Sequence, residues 1–193
     1  MKQFADSYID DVTVFSDGWR LRLRHVTKFL QRVRECGLTF NIKKCSFAQS
    51  EVKFCGQLVG SRQRRADPDK VAAAKDIKVL ETKTQVRQIM GFFSWFRDYI
   101  PDFALHAKAL TDLTGKRVPA KVPWGKAQQE AFDKLKELLC KATMDSLQIV
   151  DFTKPFDIHV DASDYAVGVV VSQSDDDGNE KPIAFVSKKL NST

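Results

Sequence analysis

Two short apolar runs, Phe4-Ala5 and Val12-Thr13-Val14-Phe15, flank the tetrapeptide Tyr8-Ile9-Asp10-Asp11. The pattern predicts two β-strands meeting at a tight turn. Trp19, Leu23, Val26, Leu30 and Val33 then recur at steps of four, three, four and three. That spacing predicts one apolar face of an amphipathic helix, with Gly37 as its stop. Arg20, Arg24, Lys28, Arg32 and Arg34 lie largely off that face. Leu38, Phe40 and Ile42 alternate with polar residues, the pattern of a half-buried strand. Phe54–Val59 reads as a second short strand in which Gly56 marks a close backbone approach or a bulge. Ser61–Ala66 reads as a basic, polar link.

Helical signals dominate the middle of the chain. Asp67-Pro68 opens a short helix with proline at its first position. Thr82-Lys83-Thr84-Gln85 has the form of a capping box ahead of a longer helix. Val86, Ile89, Met90, Phe93, Phe96 and Ile100 form one stripe on it, and Phe92, Trp95 and Tyr99 nearly form another. Pro101 stops this helix, and helix resumes from Phe103 to Leu113. Val118–Trp124, with two prolines, reads as a linker, and Gln128–Cys140 as a helix with Phe132, Leu135 and Leu139 facing inward. Three strands follow, over Phe156–Asp161, Val167–Gln173 and Pro182–Ser187. Phe156, Ile158 and Val160 point inward from the first, and Asp175-Asp176-Asp177-Gly178-Asn179 closes a hairpin between the other two. The fold class is α+β.

Composition narrows the setting. The 193 residues suffice for one or two domains, and a hydrophobic content of 43% is ordinary for a globular core. No apolar run approaches a membrane span, and Met-Lys-Gln-Phe-Ala-Asp is no signal peptide. The expected setting is intracellular, cytoplasmic or nuclear, where the sequon Asn191-Ser192-Thr193 has no role. Cys36, Cys45, Cys55 and Cys140 lack paired spacing and read as reduced packing residues. The net charge of +6 conceals a division. From Arg20 to Lys70, thirteen Lys and Arg oppose four acids; from Asp151 to Glu180, eight acids oppose Lys154 alone. A basic first part fits a polyanion-binding surface, and a solvated face explains the same counts.

Candidate chemistry centres on Asp10 and Asp11. Adjacent carboxylates on a tight hairpin repel each other and bury little. On their own they read either as a solvated acidic turn or as a site for a hard divalent cation with oxygen ligands, such as Mg²⁺.

Many further segments fall into one register. They are Tyr8–Ser16, Gly37-Leu38-Thr39 with Asn41 and Lys43-Lys44-Cys45, Phe47–Val52, and Asp67–Val71. Met90-Gly91-Phe92-Phe93, Phe96–Phe103, Leu110–Leu113, Trp124, Glu130-Ala131-Phe132, Asp151–Phe156, Asp161–Asp164 and Pro182-Ile183-Ala184 continue it. In order and almost without gaps, these resemble the polymerase polyprotein of long-terminal-repeat retrotransposons of the Ty3/gypsy type. Tyr-x-Asp-Asp resembles the palm motif of reverse transcriptases.

The resemblance implies the C-terminal part of a palm (1–62), a helical thumb (63–117), a connection (118–154) and the opening β-meander of a ribonuclease H-like domain (155–193). It implies Asp10 and Asp11 as ligands of a two-metal Mg²⁺ site and Tyr8 beside the primer terminus. Lys44 falls where the family places a lysine near the triphosphate of an incoming deoxynucleotide. Phe54, Gly56 and Gln57 match the primer-grip strand. Arg62, Arg64 and Arg65 match a phosphate track, and Trp95 a minor-groove contact on an RNA–DNA hybrid or primer–template. Asp161 matches the first metal-binding Asp of ribonuclease H. For Tyr8, Lys44, Phe54, the arginines and Trp95, ordinary packing or solvation is the alternative account, and for an aromatic at helical spacing such as Trp95 core packing is the stronger one.

Both metal sites are expected to be incomplete in this chain, with the fingers and one palm carboxylate in a missing N-terminal polymerase segment. The sequence also departs from the family: Arg20-Leu21-Arg22 stands where Glu-Glu-His is usual, Cys55 where Leu is, and Gln57 where His is. The leading expectation is a fragment of an RNA-directed DNA polymerase with ribonuclease H, inactive alone. Its rivals are a non-catalytic nucleic-acid-binding remnant or domesticated protein, and a decayed product with no stable fold.

Overall fold

The computed structural model describes residues 4–77 and 79–190, so the Asn191-Ser192-Thr193 sequon lies outside the described residues. The chain forms two compact units, residues 1–55 and 56–193.

In the first unit, β1 (Ala5–Tyr8) and β2 (Asp11–Val14) pair antiparallel, with Tyr8 opposite Asp11 and Ala5 opposite Val14. Two residues, Ile9 and Asp10, make the turn. Helix α1 (Trp19–Glu35) follows. Its end is a Schellman closure: the Leu38 N–H donates to the Val33 carbonyl at 3.0 Å and the Gly37 N–H to the Arg34 carbonyl at 3.1 Å. Gly37, at φ 65°, supplies the left-handed residue this geometry needs. His25 fastens α1 to the base of the hairpin. Its ring stacks on Phe4 with centroids 4.2 Å apart, and Nδ1 lies 2.7 Å from the Ser16 hydroxyl.

The alternation at Leu38, Phe40 and Ile42 does not make a strand. All three side chains are exposed, and a 3₁₀ turn, Ile42–Lys44, occupies the end of the stretch. Asn41 caps that turn by accepting from the Lys43 N–H, so a local side-chain bond displaces the strand. Phe54–Val59 is likewise not one strand. β3 (Glu51–Phe54) stops and β4 (Gln57–Gly60) starts around a two-residue turn, Cys55–Gly56, with φ of 50° and 73°.

The second unit begins with β4, β5 (Gln63–Ala66) and β6 (Leu147–Gln148), all antiparallel. The segment Ser61–Ala66, read as a link, is therefore mostly a strand. Ser61 and Arg62 both adopt left-handed φ, 50° and 59°, and form the two-residue hairpin turn that glycine or asparagine usually supplies. Asp67 caps α2 (Pro68–Lys75) by accepting from the Asp69 N–H. The capping box is present: Thr82 Oγ1 accepts from the Gln85 N–H while Gln85 Oε1 accepts from the Thr82 N–H.

Helix α3 (Lys83–Trp95) ends sooner than its apolar stripe, and a 3₁₀ turn, Arg97–Tyr99, carries the stripe onward. α4 (Phe103–His106) and α5 (Lys108–Asp112) break at Ala107 instead of running as one helix. Helix α6 (Lys126–Lys141) buries Phe132, Leu135 and Leu139 completely. They meet Val86, Phe93, Phe96, Ile100 and Leu110 in one core. Phe93 and Phe132 meet edge to face at 6.1 Å, and Trp124 meets Phe132 at 5.8 Å.

Strands β7 (Asp157–Ala162), β8 (Ala166–Ser174) and β9 (Glu180–Lys189) form an antiparallel meander with a bulge at Val171/Ser172. Phe156, Ile158 and Val160 do not face inward. Among the described residues β7 pairs only with β8, and Ile158 and Val160 stay 62% and 65% exposed. The meander is tied down elsewhere. Gln173, fully buried, accepts from the Asp151 N–H and donates to the carbonyls of Asp151 and Lys154. The Ser187 hydroxyl accepts from the Ala104 N–H at 2.8 Å. Gly168 lies against Asp102, which sits at φ 49°; a Cβ at 168 would stand 2.5 Å from the Asp102 carboxylate.

This packing sets an order of sensitivity. Phe93→Ala, in the buried seam, should lower the unfolding free energy by about 3–5 kcal/mol, whereas Phe152→Ala, 87% exposed, should leave it nearly unchanged. Urea unfolding followed by circular dichroism measures both, and equal effects would refute this placement of the core.

Candidate metal hairpin and nucleic-acid interface

The Tyr8–Asp11 register places Asp6, Tyr8, Asp11 and Thr13 on one face of the hairpin, because facing residues and every second residue share a side. Ile9 takes φ 55°, a conformation that a β-branched side chain rarely adopts and that costs about 1–3 kcal/mol. The strained residue projects 88% exposed, and Asp10 and Asp11 are exposed beside it.

Cys55 reports the surroundings of this face. Burial pushes its thiol pKa up, and the carboxylates of Asp11 and Asp6 push it further in the same direction. Asp6 is thus a second acid beside Asp11 on this hairpin face, and one that the sequence analysis does not single out. Its signal was available: it stands two residues before Tyr8 on the same strand. Tyr8 is half-exposed at 50%. Lys44 closes the 3₁₀ turn of Ile42–Lys44, exposed, and Phe54 ends β3, partly buried.

Around Gly56 the second unit gathers several of the predicted residues. A Cβ at this position would meet the Lys70 side chain at 3.4 Å and Trp95 Nε1 at 3.5 Å, so an indole and an ammonium stem flank bare backbone. Trp95 remains 51% exposed although Phe93 and Phe96 on either side of it are buried. Gln57 Oε1 accepts from the Tyr99 hydroxyl at 2.8 Å. Tyr99 in turn lies under the Arg64 guanidinium, 5.3 Å from the ring centre. Lys70 is a member that sequence reasoning did not single out; its position one turn into α2 carried no signal by itself.

The three arginines go to three places. Arg64 donates to the Ile183 carbonyl at 3.0 Å and pairs with Asp98 at 3.5 Å. Arg65 donates to the Thr143 carbonyl at 3.1 Å. Arg62, on the β4–β5 turn, pairs with Asp176 at 3.7 Å, with its side chain 68% exposed against 23% for Arg64. Asp161 stands on β7 opposite Gly168, with its carboxylate accepting from the Ala162 N–H. Among the described residues, no group of three or more His, Cys, Asp and Glu side chains could hold a metal ion, and no helix is long and apolar enough to cross a membrane.

Comparison with known proteins matches residues 2–59 to "Reverse transcriptase (RNA-dependent DNA polymerase)" and residues 124–193 to "RNase H-like domain found in reverse transcriptase". The Pol polyprotein of the Drosophila melanogaster transposon opus is 34% identical over 96% of this chain, and that of transposon gypsy is 30% identical over 95%. The Tf2-3 polyprotein of Schizosaccharomyces pombe is 30% identical over 95%. The chain spans 19%, 18% and 13% of those relatives' lengths. Among solved structures, a foamy viral protease-reverse transcriptase in complex with double-stranded DNA has a TM-score of 0.87 at 21% identity, covering 97% of this chain and 32% of its own. The same viral protein in complex with RNA/DNA hybrid has a TM-score of 0.86. These likenesses show the fold, an α+β reverse transcriptase and RNase H-like architecture.

Tyr99 offers a measurement. Burial first, and then the Asp98 charge, raise its pKa from 10.0 to about 12, against the opposing pull of Arg64. The folded state therefore favours the protonated phenol. The resulting stabilisation is complete below pH 10 and disappears as the pH rises through about 12. An absorbance titration should show one tyrosine resisting ionisation until about pH 12, and Tyr99→Phe should remove that step.

Proposed function

For a chain that carries a reverse transcriptase segment and an RNase H-like segment homologous to those of retrotransposon Pol polyproteins, we propose the following role. It supplies the metal-binding hairpin and a duplex-binding surface of an RNA-directed DNA polymerase with ribonuclease H. One observation carries this reading: Asp10, on a two-residue turn, and Asp11, at the start of β2, stand exposed beside the strained Ile9.

The donors fit a hard cation. Carboxylate oxygens exposed on a fixed turn suit Mg²⁺, which keeps part of its water shell. Asp10 and Asp11 would hold it in the polymerase part, and Asp161 in the nuclease part. When bound there, the metal would supply activation of the attacking oxygen and relief of charge on the leaving group. The described residues offer pairs or single acids where a two-metal site needs several, so this chain contributes part of each carboxylate set.

The remaining steps belong to the protein's own groups. Tyr8, on the same face as Asp11, flanks the position of a primer end. Gly56 lets a sugar-phosphate backbone come close, with Lys70 and Trp95 beside it. Gln57 is held in place by Tyr99. Lys44 would donate a proton toward pyrophosphate, and Arg62 would face phosphate at the β4–β5 turn. The partner is an RNA–DNA hybrid or primer–template, with a deoxynucleotide in the complete enzyme. The setting is the cytoplasm or nucleus, where such partners occur.

The partial carboxylate sets favour a second reading, in which the chain binds nucleic acid without catalysis. Mn²⁺ titration followed by electron paramagnetic resonance, and hybrid binding by fluorescence anisotropy, separate the two. Asp10→Ala with Asp11→Ala should abolish Mn²⁺ binding in unit 1 and leave hybrid binding in place. Collapse of hybrid binding in the double variant would sink the non-catalytic reading. Extension of oligo(dT) on poly(rA) by residues 1–193 would sink the partial-site argument.

A further inference from the structure

Helix α1 carries Arg20, Arg22, Arg24, Lys28, Arg32 and Arg34 against a single acid, Glu35. These cations are not equivalent. Arg22 is turned inward, with its guanidinium donating to the carbonyls of Gln49 and Ser16. Arg32 is answered by Glu35 at 3.2 Å. Arg20, Arg24 and Lys28 repeat every four residues, so they form one exposed ridge, opposite the stripe of Trp19, Leu23, Val26, Leu30 and Val33. Among the described residues, none gives these three side chains a hydrogen bond or an ion pair.

As a structural device the ridge is unfavourable. Like charges four residues apart repel across a turn. Arg20 also stands in the first turn of the helix, where the dipole favours acids, and that turn has no acid to offset it. No side-chain cap closes that end either. The helix would gain from losing this charge, which leaves an external anion as the partner that makes it useful.

We propose that Arg20, Arg24 and Lys28 form a further nucleic-acid contact in the first unit, which binds the sugar-phosphate backbone without base recognition and without the Asp10 and Asp11 carboxylates. The dimensions suit a strand. At 1.5 Å rise per residue, the three cations span about 12 Å. A duplex strand offers one phosphate per ~3.4 Å of axis, so the ridge faces three or four phosphates. The contact extends the footprint on RNA or hybrid beyond the reading given above and does not require metal.

The test uses the full chain with labelled single-stranded RNA and RNA–DNA hybrid, titrated by anisotropy across a salt series. In the triple variant Arg20→Gln, Arg24→Gln, Lys28→Gln, the slope of log K against log salt should fall by roughly 2 for single strands and roughly 3 for duplex. Affinity for the single strand near 0.1 M salt should fall roughly a hundredfold. A matched triple in the second unit, Lys116→Gln, Arg117→Gln, Lys126→Gln, should change little. The charge-preserving triple Arg20→Lys, Arg24→Lys, Lys28→Arg should bind like the parent. An unchanged slope in the Gln variant, equal losses in both Gln triples, or loss in the charge-preserving triple would each overturn the proposal. So would binding of phosphatidylserine vesicles that the Gln triple abolishes while RNA binding persists. Asp10→Ala with Asp11→Ala leaves this contact intact, so its failure is separable from failure of the polymerase reading.

Discussion

Burial of Phe93 and Phe96 in the core that also holds Phe132 fixes the arrangement of the second unit. Both rings are essentially solvent-free, and they sit on either side of Trp95 in sequence. A helix cannot send neighbouring residues in the same direction, so burying these two drives the indole outward. The same packing ends α3 at Trp95 and tightens the next residues into a 3₁₀ turn, which delivers the Tyr99 hydroxyl to Gln57. Trp95, Gly56 and Gln57 therefore share a surface because of two phenylalanines that stay inside the core.

The sequence made the helices legible wherever the governing interaction was local. Gly37 closes α1, Thr82 and Gln85 cap α3, Pro68 starts α2, and Phe132, Leu135 and Leu139 are buried as their spacing implies. The three-stranded meander was also readable, with its Asp175–Asn179 loop. The turns at Cys55 and at Ser61–Arg62 were harder. Each uses a left-handed residue other than glycine, so two strands read as one over 54–59 and a hairpin turn with its strand reads as a link over 61–66. β7 was misjudged for a different reason. Alternation assigns a face to Ile158 and Val160 but cannot say what covers it, and within the described residues both stay exposed.

The site divides along the same line. Adjacent carboxylates on a predicted hairpin were visible, since Tyr8 to Asp11 are contiguous. Lys70 was not, because it joins the others only through chain reversal. Arg64 shows the opposite case. Its basic neighbourhood suggests phosphate, while its observed partners are Asp98, Tyr99 and the Ile183 carbonyl. Composition records how much charge a segment holds, and only packing decides which charges remain available to a ligand.

Asp102 and Gly168 join distant parts of the second unit through a space too small for one more carbon atom. Neither residue is free to vary by itself. A side chain at 168 demands a smaller or rotated partner at 102, and 102 must also tolerate a left-handed backbone. The two positions should therefore drift as a pair, a case of epistasis written into the contact between a helix entrance and a sheet.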